Sequence, residues 1–259
     1  MMKDDAGNEA LASTGAWAAP FYAGRSVLVT GGTSGIGAAI AKGFLQAGAH
    51  VTCCGAGDDE IRAARTNPDF AAARIEKLDV RNAAAVEALV ASFKSLDVLV
   101  NCAGIIRRGD ELDPEIFADV IDVNLVGTMR ACTAARPLLA AGNGCIVNLA
   151  SMLSFFGGAL VPGYSASKGG VAQLTKSLAI AFAADTIRVN AIAPGWIETP
   201  LTGALRQDEG RREAIIQRTA LKRWGKPEEL VGGVLYLCSP AAAFVTGAIL
   251  NIDGGYSVV

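Results

Sequence analysis

Residues 26–47 carry the feature that most limits the folds open to this chain. Ser26–Thr30 is a short β-branched run, which is typical of a buried strand. Residues 31–37 form a glycine-rich stretch, and residues 38–47 have the spacing of a helix that ends at Gly48. A strand, a glycine turn and a helix in this order can hold a pyrophosphate on backbone N–H groups. The spacing Gly-x-x-x-Gly-x-Gly alone also fits a structural turn, but its place between strand and helix favours a nucleotide.

The alternation of short apolar runs and helical segments continues to the end of the chain. Six more strands are predicted, at residues 50–54, 75–78, 96–100, 144–150, 187–193 and 247–252. Further helices are predicted at residues 82–95, 114–139, 165–183 and 227–238. Repeated β–α units predict an α/β fold, with a single Rossmann-type doubly wound parallel sheet of about seven strands and helices on both faces.

Residues 25–259 show no linker, repeat or break in composition, and we interpret them as one dinucleotide-binding catalytic domain. Residues 196–224 are richer in charge and less regular, which is typical of a substrate lid. Residues 1–24 are small, polar and partly acidic, without the basic start and apolar core of a signal peptide. They are interpreted as a loose leader, with order expected only at residues 17–22.

Composition excludes several classes of function. The net charge is −2 and no basic run is present, which argues against a nucleic-acid partner. No stretch offers about 18 uninterrupted apolar residues, so no membrane span is expected. The six cysteines lack a Cys-x-x-Cys pair and predict buried thiols in a reducing compartment, the cytoplasm. The single histidine, His50, argues against both a metal site and a Ser-His-Asp triad.

Several polar or glycine-rich positions follow the ends of predicted strands. They are the glycine turn, residues 101–104, Ser151 and residues 194–195. Ligands of doubly wound sheets bind outside the carboxyl ends of the strands, so these positions are expected to converge on one crevice. Tyr164 and Lys168 lie one helical turn apart beside it, and an ammonium next to a phenol is expected to lower the phenol's pKa toward neutral. Chance placement on a helix surface is the alternative for this pair.

Two further positions leave alternatives open. The acid that binds an adenosine ribose is expected near the end of the second strand, where Gly55 stands and Asp58 and Asp59 follow. A carboxylate there, with no basic residue between His50 and Ile61, favours NAD over NADP, although both acids also suit the start of a helix. Asn124 lies within a predicted helix, either as a core amide or as part of a site.

Residues 25–256 resemble the short-chain dehydrogenase/reductase family. The motifs that carry the resemblance are residues 30–37, Asp79-Val80, residues 101–104, Asn124, Ser151, Tyr164 with Lys168, residues 194–199 and residues 253–255. The resemblance implies catalytic roles for Asn124, Ser151, Tyr164 and Lys168. The argument on the ribose adds Asp58 as a cofactor contact. The resemblance itself implies cofactor contacts by the following residues: Gly31, Thr33, Ser34, Gly35, Ile36, Gly37, Asp79, Val80, Asn101, Ala103, Gly104, Tyr164, Lys168, Pro194, Ile197 and Thr199. Cys102 departs from the family, which usually has a second Asn there.

Residues 104–108, 151–155 and 161–162 are similar to the branch of 2-dehydro-3-deoxy-gluconate and gluconate 5-dehydrogenases. This resemblance implies hydride transfer between a nicotinamide cofactor and the secondary alcohol of a sugar or sugar acid. Arg107 or Arg108 is a candidate for the substrate carboxylate, with Met152, Ser151 and Tyr164 beside the substrate; solvated surface arginines are the alternative. The rival functions are a 3-oxoacyl-carrier-protein reductase and a non-catalytic dinucleotide-binding sensor or scaffold. The family also implies a homotetramer.

Overall fold

The computed structural model describes residues 17–259, and its centre is one parallel sheet. Seven strands lie in the order β3-β2-β1-β4-β5-β6-β7. They are β1 (Ser26–Thr30), β2 (His50–Gly55), β3 (Arg74–Lys77), β4 (Val98–Asn101), β5 (Cys145–Leu149), β6 (Arg188–Pro194) and β7 (Ile249–Ile252). Every neighbouring pair is parallel. The predicted doubly wound sheet is confirmed, and the order reverses between β1 and β4, where such sheets bind ligands.

The helices form a layer on each face of the sheet. They are α1 (residues 17–22), α2 (Gly35–Gln46), α3 (Asp58–Thr66), α4 (Ala83–Ala91), α5 (Pro114–Ile121), α6 (Gly127–Ala141), α7 (Pro162–Ala181), α8 (Gly203–Gln207), α9 (Glu209–Arg218) and α10 (Val231–Cys238). Among residues 17–259, none of these helices is both long and apolar enough to cross a membrane.

The side chains of β1 show how the two layers are divided. Val27 and Val29 point to one face and pack in a buried cluster with Phe44 of α2 and Leu235 of α10. Leu28, between them, joins the cluster on the opposite face that includes α4, α6 and α7. A strand buried on both faces needs this continuous apolar run, because alternate residues point in opposite directions.

The segment predicted as one helix over residues 114–139 contains an interruption. Asp113 caps α5 as expected, accepting a hydrogen bond from the Glu115 N–H at 2.8 Å. After α5 the chain makes a π-helical turn, Asp122–Val126, and continues as α6. Helical periodicity does not distinguish a π turn from an α turn, so this turn could not be predicted from the pattern, and such turns occur often at functional sites.

The part of the leader that the structure describes is packed onto the domain. Ala18 and Tyr22 of α1 are buried, and Tyr22 joins the cluster that contains Phe44. The Tyr22 hydroxyl donates a hydrogen bond to the Leu235 carbonyl of α10. Order near residues 17–22 is therefore present as expected, while residues 1–16 of the predicted leader lie outside the described residues.

Candidate active site

The carboxyl ends of β1, β4 and β6 meet around the glycine turn. A Cβ placed on Gly31 would lie 2.6 Å from the backbone N of Ala103, which follows β4. On the other side, a Cβ placed on Gly35 would lie 3.6 Å from the Cβ of Thr199, which follows β6. The predicted convergence of Gly31, Ala103 and Thr199 is therefore present in the structure.

The glycine turn has the form of a cradle for a pyrophosphate. Gly31 has a φ of +63°, which side chains disfavour, and a Cβ on Gly37 would lie 2.1 Å from the Gly31 carbonyl oxygen. Ser34, at the N-cap of α2, makes no capping hydrogen bond through its side chain, and the first turn of α2 holds no acid. The exposed N–H groups of this helix start suit an anion, so the residues present fit a dinucleotide.

Lys168 is buried beside the end of β5. Its ammonium donates a hydrogen bond to the Leu149 carbonyl at 2.6 Å, and its Nζ lies 5.6 Å from the centre of the Tyr164 ring. Burial lowers the pKa of Lys168 to about 8. A Cβ on Gly104 would lie 3.8 Å from Nζ, so the end of β4 also passes next to this group. Lys168 and Tyr164 share a helix face, as predicted.

The expected direction of the Tyr164 pKa is wrong for the chain by itself. Burial raises the pKa of Tyr164 to about 12, and the carboxylate of Glu111 adds to the rise. A hydrogen bond with Ser151 acts in the opposite direction. The sequence argument considered the neighbouring ammonium and not desolvation, which disfavours the phenolate and here outweighs the other influences.

Ser151 and Met152 lie directly after β5. Ser151 is the N-cap of a 3₁₀ turn, Met152–Ser154, and its Oγ accepts a hydrogen bond from the Leu153 N–H at 3.1 Å. Met152 is 4% exposed. It begins the segment of residues 152–161 between β5 and α7, which is called the substrate wall below.

Asn124 is completely buried in the π turn, and its amide is fully used by the protein. Oδ1 accepts from the Ile105 N–H at 2.8 Å, while Nδ2 donates to the Ile105 carbonyl at 2.9 Å and to Ser167 Oγ at 3.0 Å. The core-amide interpretation therefore describes its contacts. The participation of Asn124 in a proton relay stays a prediction.

Three residues predicted to border the adenosine have side chains occupied elsewhere. Asn101 donates to Asn148 Oδ1 at 2.9 Å inside the core, and Asp79 pairs with Arg81 at 2.6 Å. Val80 is buried, and a Cβ on Gly127 would lie 2.6 Å from its Cγ2. Of this group, only backbone atoms and part of Asp79 remain for a ligand.

Cys102, the departure from the family pattern, packs below the glycine turn. A Cβ placed on Gly37 would lie 3.1 Å from the Cys102 Cβ. Cys102 is half-buried, and desolvation raises the pKa of its thiol to about 12, which disfavours the reactive thiolate. The substitution thus leaves the turn intact.

The carboxylate beside the glycine turn belongs to Glu60, which the sequence analysis missed. Glu60 Oε2 accepts hydrogen bonds from Thr33 Oγ1 at 3.0 Å and from Ser34 Oγ at 3.4 Å. A Cβ on Gly55 would lie 3.3 Å from the same oxygen, so this carboxylate lies at the end of β2. Asp58 instead forms an exposed ion pair with Lys77 at 2.6 Å.

The two candidate arginines have different surroundings. Arg107 is exposed, whereas Arg108 is half-buried. Burial lowers the pKa of Arg108, and so does the neighbouring guanidinium of Arg211, which belongs to α9 in the predicted lid; Glu111 opposes them. Two guanidinium groups that repel each other favour a bound anion between them. Arg211 was not predicted; it is exposed and also forms an ion pair with Asp208 at 3.3 Å.

The lid is anchored at both of its ends. Trp196 and Trp224 pack edge to face with their ring centres 5.6 Å apart. Arg218 belongs to the chain between these two tryptophans. Its guanidinium lies 5.1 Å from the centre of the Phe156 ring, which follows β5, and 4.4 Å from the centre of the Tyr256 ring. Helix α9 thus contacts the segment that follows β5, and the role of residues 196–224 as a substrate lid stays a prediction.

Comparison with known proteins agrees with this site. The family model described as enoyl-(acyl carrier protein) reductase, of the short-chain dehydrogenase/reductase type, matches residues 31–257. A cis-4-hydroxycyclohexanecarboxylate dehydrogenase from Sinomonas cyclohexanicum is 41% identical, covering 92% of this chain and 98% of the relative. A 2-dehydro-3-deoxy-D-gluconate 5-dehydrogenase from Bacillus subtilis is 39% identical, covering 90% and 94%.

A solved structure of a relative has the same fold as this chain. The gluconate 5-dehydrogenase from Burkholderia cenocepacia, in complex with NADP and tartrate, is 34% identical with a TM-score of 0.86, covering 92% of this chain and 97% of that chain. The relatives confirm the resemblance to the sugar-acid branch, and the complete set of Ser151, Tyr164 and Lys168 lies in one crevice. The chain therefore belongs to the short-chain dehydrogenase/reductase family and is an NAD(P)-dependent oxidoreductase that interconverts a secondary alcohol and a ketone.

Proposed function

We propose that the substrate is a carboxylate whose reacting alcohol or ketone lies four bonds from the carboxyl carbon. The observation that carries this proposal is Arg108, a half-buried residue whose guanidinium is close enough to that of Arg211 for the two charges to act on each other. A bound carboxylate would neutralise the repulsion between the two groups, and arginine suits it through paired N–H donors.

The names of the relatives support the same geometry. In 2-dehydro-3-deoxygluconate the carbon acted on is C5, four bonds from the carboxyl carbon C1. In 4-hydroxycyclohexanecarboxylate the hydroxyl-bearing ring carbon is also four bonds from the carboxyl carbon. The two molecules share little else, since one is an open sugar acid and the other an alicyclic acid. The common spacing points to a δ-hydroxy or δ-oxo acid.

In this proposal the chain's own residues manage the proton. Tyr164 gives a proton to the carbonyl oxygen, or takes it from the alcohol, and the Ser151 hydroxyl holds that oxygen by a hydrogen bond. The Lys168 ammonium supports the phenolate. A bound nicotinamide supplies the hydride acceptor or donor. The substrate wall and the lid exclude water from the crevice.

Replacing Arg108 by alanine tests the carboxylate anchor. For Arg108→Ala we expect kcat/KM on cis-4-hydroxycyclohexanecarboxylate to fall roughly 10- to 100-fold, the value of one charge-assisted contact, with little change on cyclohexanol. Steady-state rates with both alcohols give the comparison, and Arg107→Ala is the matched control that should leave the acid rate close to wild type. Equal losses on the acid and the neutral alcohol would rule out the anchor, and a 3-oxoacyl thioester as the best substrate would favour the reductase instead.

We propose further that the cofactor preference is for NAD, through Glu60 rather than Asp58. Glu60 is held against Thr33 and Ser34 at the end of β2, where its oxygen can accept a hydrogen bond from a ribose hydroxyl and repel a 2′-phosphate. Ser34 is not basic, so the turn offers no cation to a phosphate. The Burkholderia relative binds NADP, which makes a direct measurement decisive.

The measurement is calorimetric binding of ADP-ribose and of its 2′-phosphate. Glu60→Gln should raise the affinity for the phosphorylated ligand, relative to ADP-ribose, on the order of tenfold, because one negative charge is removed beside the phosphate. Asp58→Asn is the control, since Asp58 pairs with Lys77 and should leave the ratio unchanged. A ratio that moves only in the Asp58 variant would restore the original assignment to Asp58.

The homotetramer and the cytoplasmic location stay predictions. Exposed apolar side chains support self-association: Val126 and Met129 near the start of α6, and Ile180 at the end of α7, which is 81% exposed. All six cysteines are free thiols, and five of them are buried, which supports a reducing compartment.

A further inference from the structure

Glu111 is a buried carboxylate that the proposed chemistry leaves without a role. It lies in the loop between β4 and α5 and is only 1% exposed. In the described part of the chain its oxygens accept hydrogen bonds from backbone N–H groups: Oε1 from Arg107 at 2.8 Å and Oε2 from Tyr164 at 2.7 Å. Burying a carboxylate costs several kcal/mol unless its oxygens are satisfied, so this arrangement is a specific one.

One of these hydrogen bonds reaches the helix that carries the acid/base group. Tyr164 is the third residue of α7, and its N–H has no partner within the helix. The N-cap residue, Val161, makes no side-chain cap. Glu111 supplies the missing acceptor from a distant loop and lies at the positive end of the helix dipole. A Cβ on Gly163 would lie 3.2 Å from Oε2, so the helix passes close to the carboxylate.

The other hydrogen bond holds the loop that carries the anion anchor. Arg107 precedes Arg108 directly, so the bond from its N–H fixes the backbone beside the anchor. The Gly109 N–H also donates to the Leu160 carbonyl at 2.9 Å, which ties the same loop to the segment that leads into α7. The Glu111 carboxylate also raises the pKa of Arg108, whereas the guanidinium of Arg211 lowers it.

We propose that Glu111 is a positioning residue that braces the Arg108 loop against the first turn of α7 and thereby fixes the separation between the anion anchor and the Tyr164 hydroxyl. This inference rests on the proposed function, since it assigns the four-bond spacing of the substrate to a physical part of the protein. An anchor on a freely moving loop would accept acids of several lengths. A braced anchor presents one carbon to Tyr164, and errors of about 1 Å in such placement can cost on the order of 100-fold in rate.

The test compares two acids that differ only in this spacing, cis-4-hydroxycyclohexanecarboxylate and cis-3-hydroxycyclohexanecarboxylate. Wild-type protein should prefer the 4-hydroxy acid in kcat/KM. Glu111→Gln keeps the size of the side chain but leaves one N–H without an acceptor, and it should reduce that preference on the order of tenfold. Gly163→Ala, which pushes on the same contact from the helix side, should reduce it less. Glu115→Gln, an exposed acid on α5, is the matched control and should behave as wild type.

A second readout comes from the charge itself. Glu111 opposes the phenolate of Tyr164, so Glu111→Gln should move the Tyr164-dependent limb of the kcat/KM profile to lower pH, while Glu111→Asp should not. Lys168 and Ser151 act near Tyr164, and Arg108 interacts with Glu111; these groups are the same in all these variants.

The outcomes separate the two proposals. A reduced preference together with a shifted limb supports the brace. Equal losses on both acids with an unshifted limb would mean that Glu111 only stabilises the fold, and the brace would be wrong while the carboxylate anchor stands. A wild-type protein with no preference between the two acids would overturn both, because no fixed spacing would exist to explain.

Discussion

Tyr164→Phe is expected to lower kcat by roughly 100- to 10,000-fold, the usual contribution of a general acid or base. The substitution removes only the hydroxyl that Ser151 and Lys168 surround. It leaves the packing of α7 and the glycine turn unchanged, so the affinity for ADP-ribose should stay at the wild-type value. Loss of turnover with retained binding is the pattern of a group that acts in the reaction alone.

The measurement pairs steady-state rates with calorimetric binding of ADP-ribose. Tyr236→Phe on α10 is the matched control, since this tyrosine is 39% exposed and belongs to a different part of the fold. Tyr164→Phe with a kcat within a few-fold of wild type would contradict the assignment and favour a non-catalytic role for the crevice.

The pKa directions at this pair explain how the site depends on its ligand. Burial raises the pKa of Tyr164 to about 12 and lowers that of Lys168 to about 8, so both shifts disfavour the charged form in the chain alone. A positive charge brought into the crevice favours the phenolate, and the oxidised nicotinamide carries such a charge. We infer that the phenolate becomes available as a base mainly after the site has been filled, which limits unproductive proton transfer.

Much of this architecture could be predicted from local sequence. The strands are short apolar runs, and the motifs at their ends identify the crevice, because parallel strands bring their carboxyl ends to one edge. Spacing and the place after β5 made Ser151, Tyr164 and Lys168 candidates, and the family resemblance supplied their roles. The directions in which the pKa values of Tyr164 and Lys168 shift could be found only from the structure, because packing determines how deeply a side chain is buried and sequence spacing does not describe packing.

The residues that the sequence analysis missed act across long separations. Glu60 contacts Thr33, 27 residues away, and Glu111 contacts Tyr164, 53 residues away. In each case an acid that reads as a helix-start or loop residue turns inward because a glycine opposite it, Gly55 or Gly163, leaves room. The π turn around Asn124 was missed for a related reason, since periodicity over one turn carries too little information to reveal it.

Among glycine-to-alanine substitutions in the glycine turn, Gly37→Ala should cause the largest loss of stability and of ADP-ribose affinity. Its Cβ would lie 2.1 Å from the Gly31 carbonyl oxygen, a distance that requires the backbone of the turn or the start of α2 to move. Overpacking of this kind costs about 1–3 kcal/mol of folding free energy. Because the moved atoms belong to the pyrophosphate cradle, the affinity for ADP-ribose should fall by roughly tenfold or more.

Urea unfolding followed by circular dichroism, together with calorimetric binding of ADP-ribose, measures both effects. The matched control is Gly203→Ala in α8, where a Cβ would meet no atom within 4 Å and the helical backbone favours alanine. That variant should unfold at an equal or higher urea concentration than wild type. If Gly37→Ala matched it in stability and in binding, then the contact between α2 and the Gly31 carbonyl would not be what shapes the cradle. The tight approach of helix to turn would then be incidental to binding, and Gly31 with its left-handed backbone would remain as the residue that sets the form of the turn.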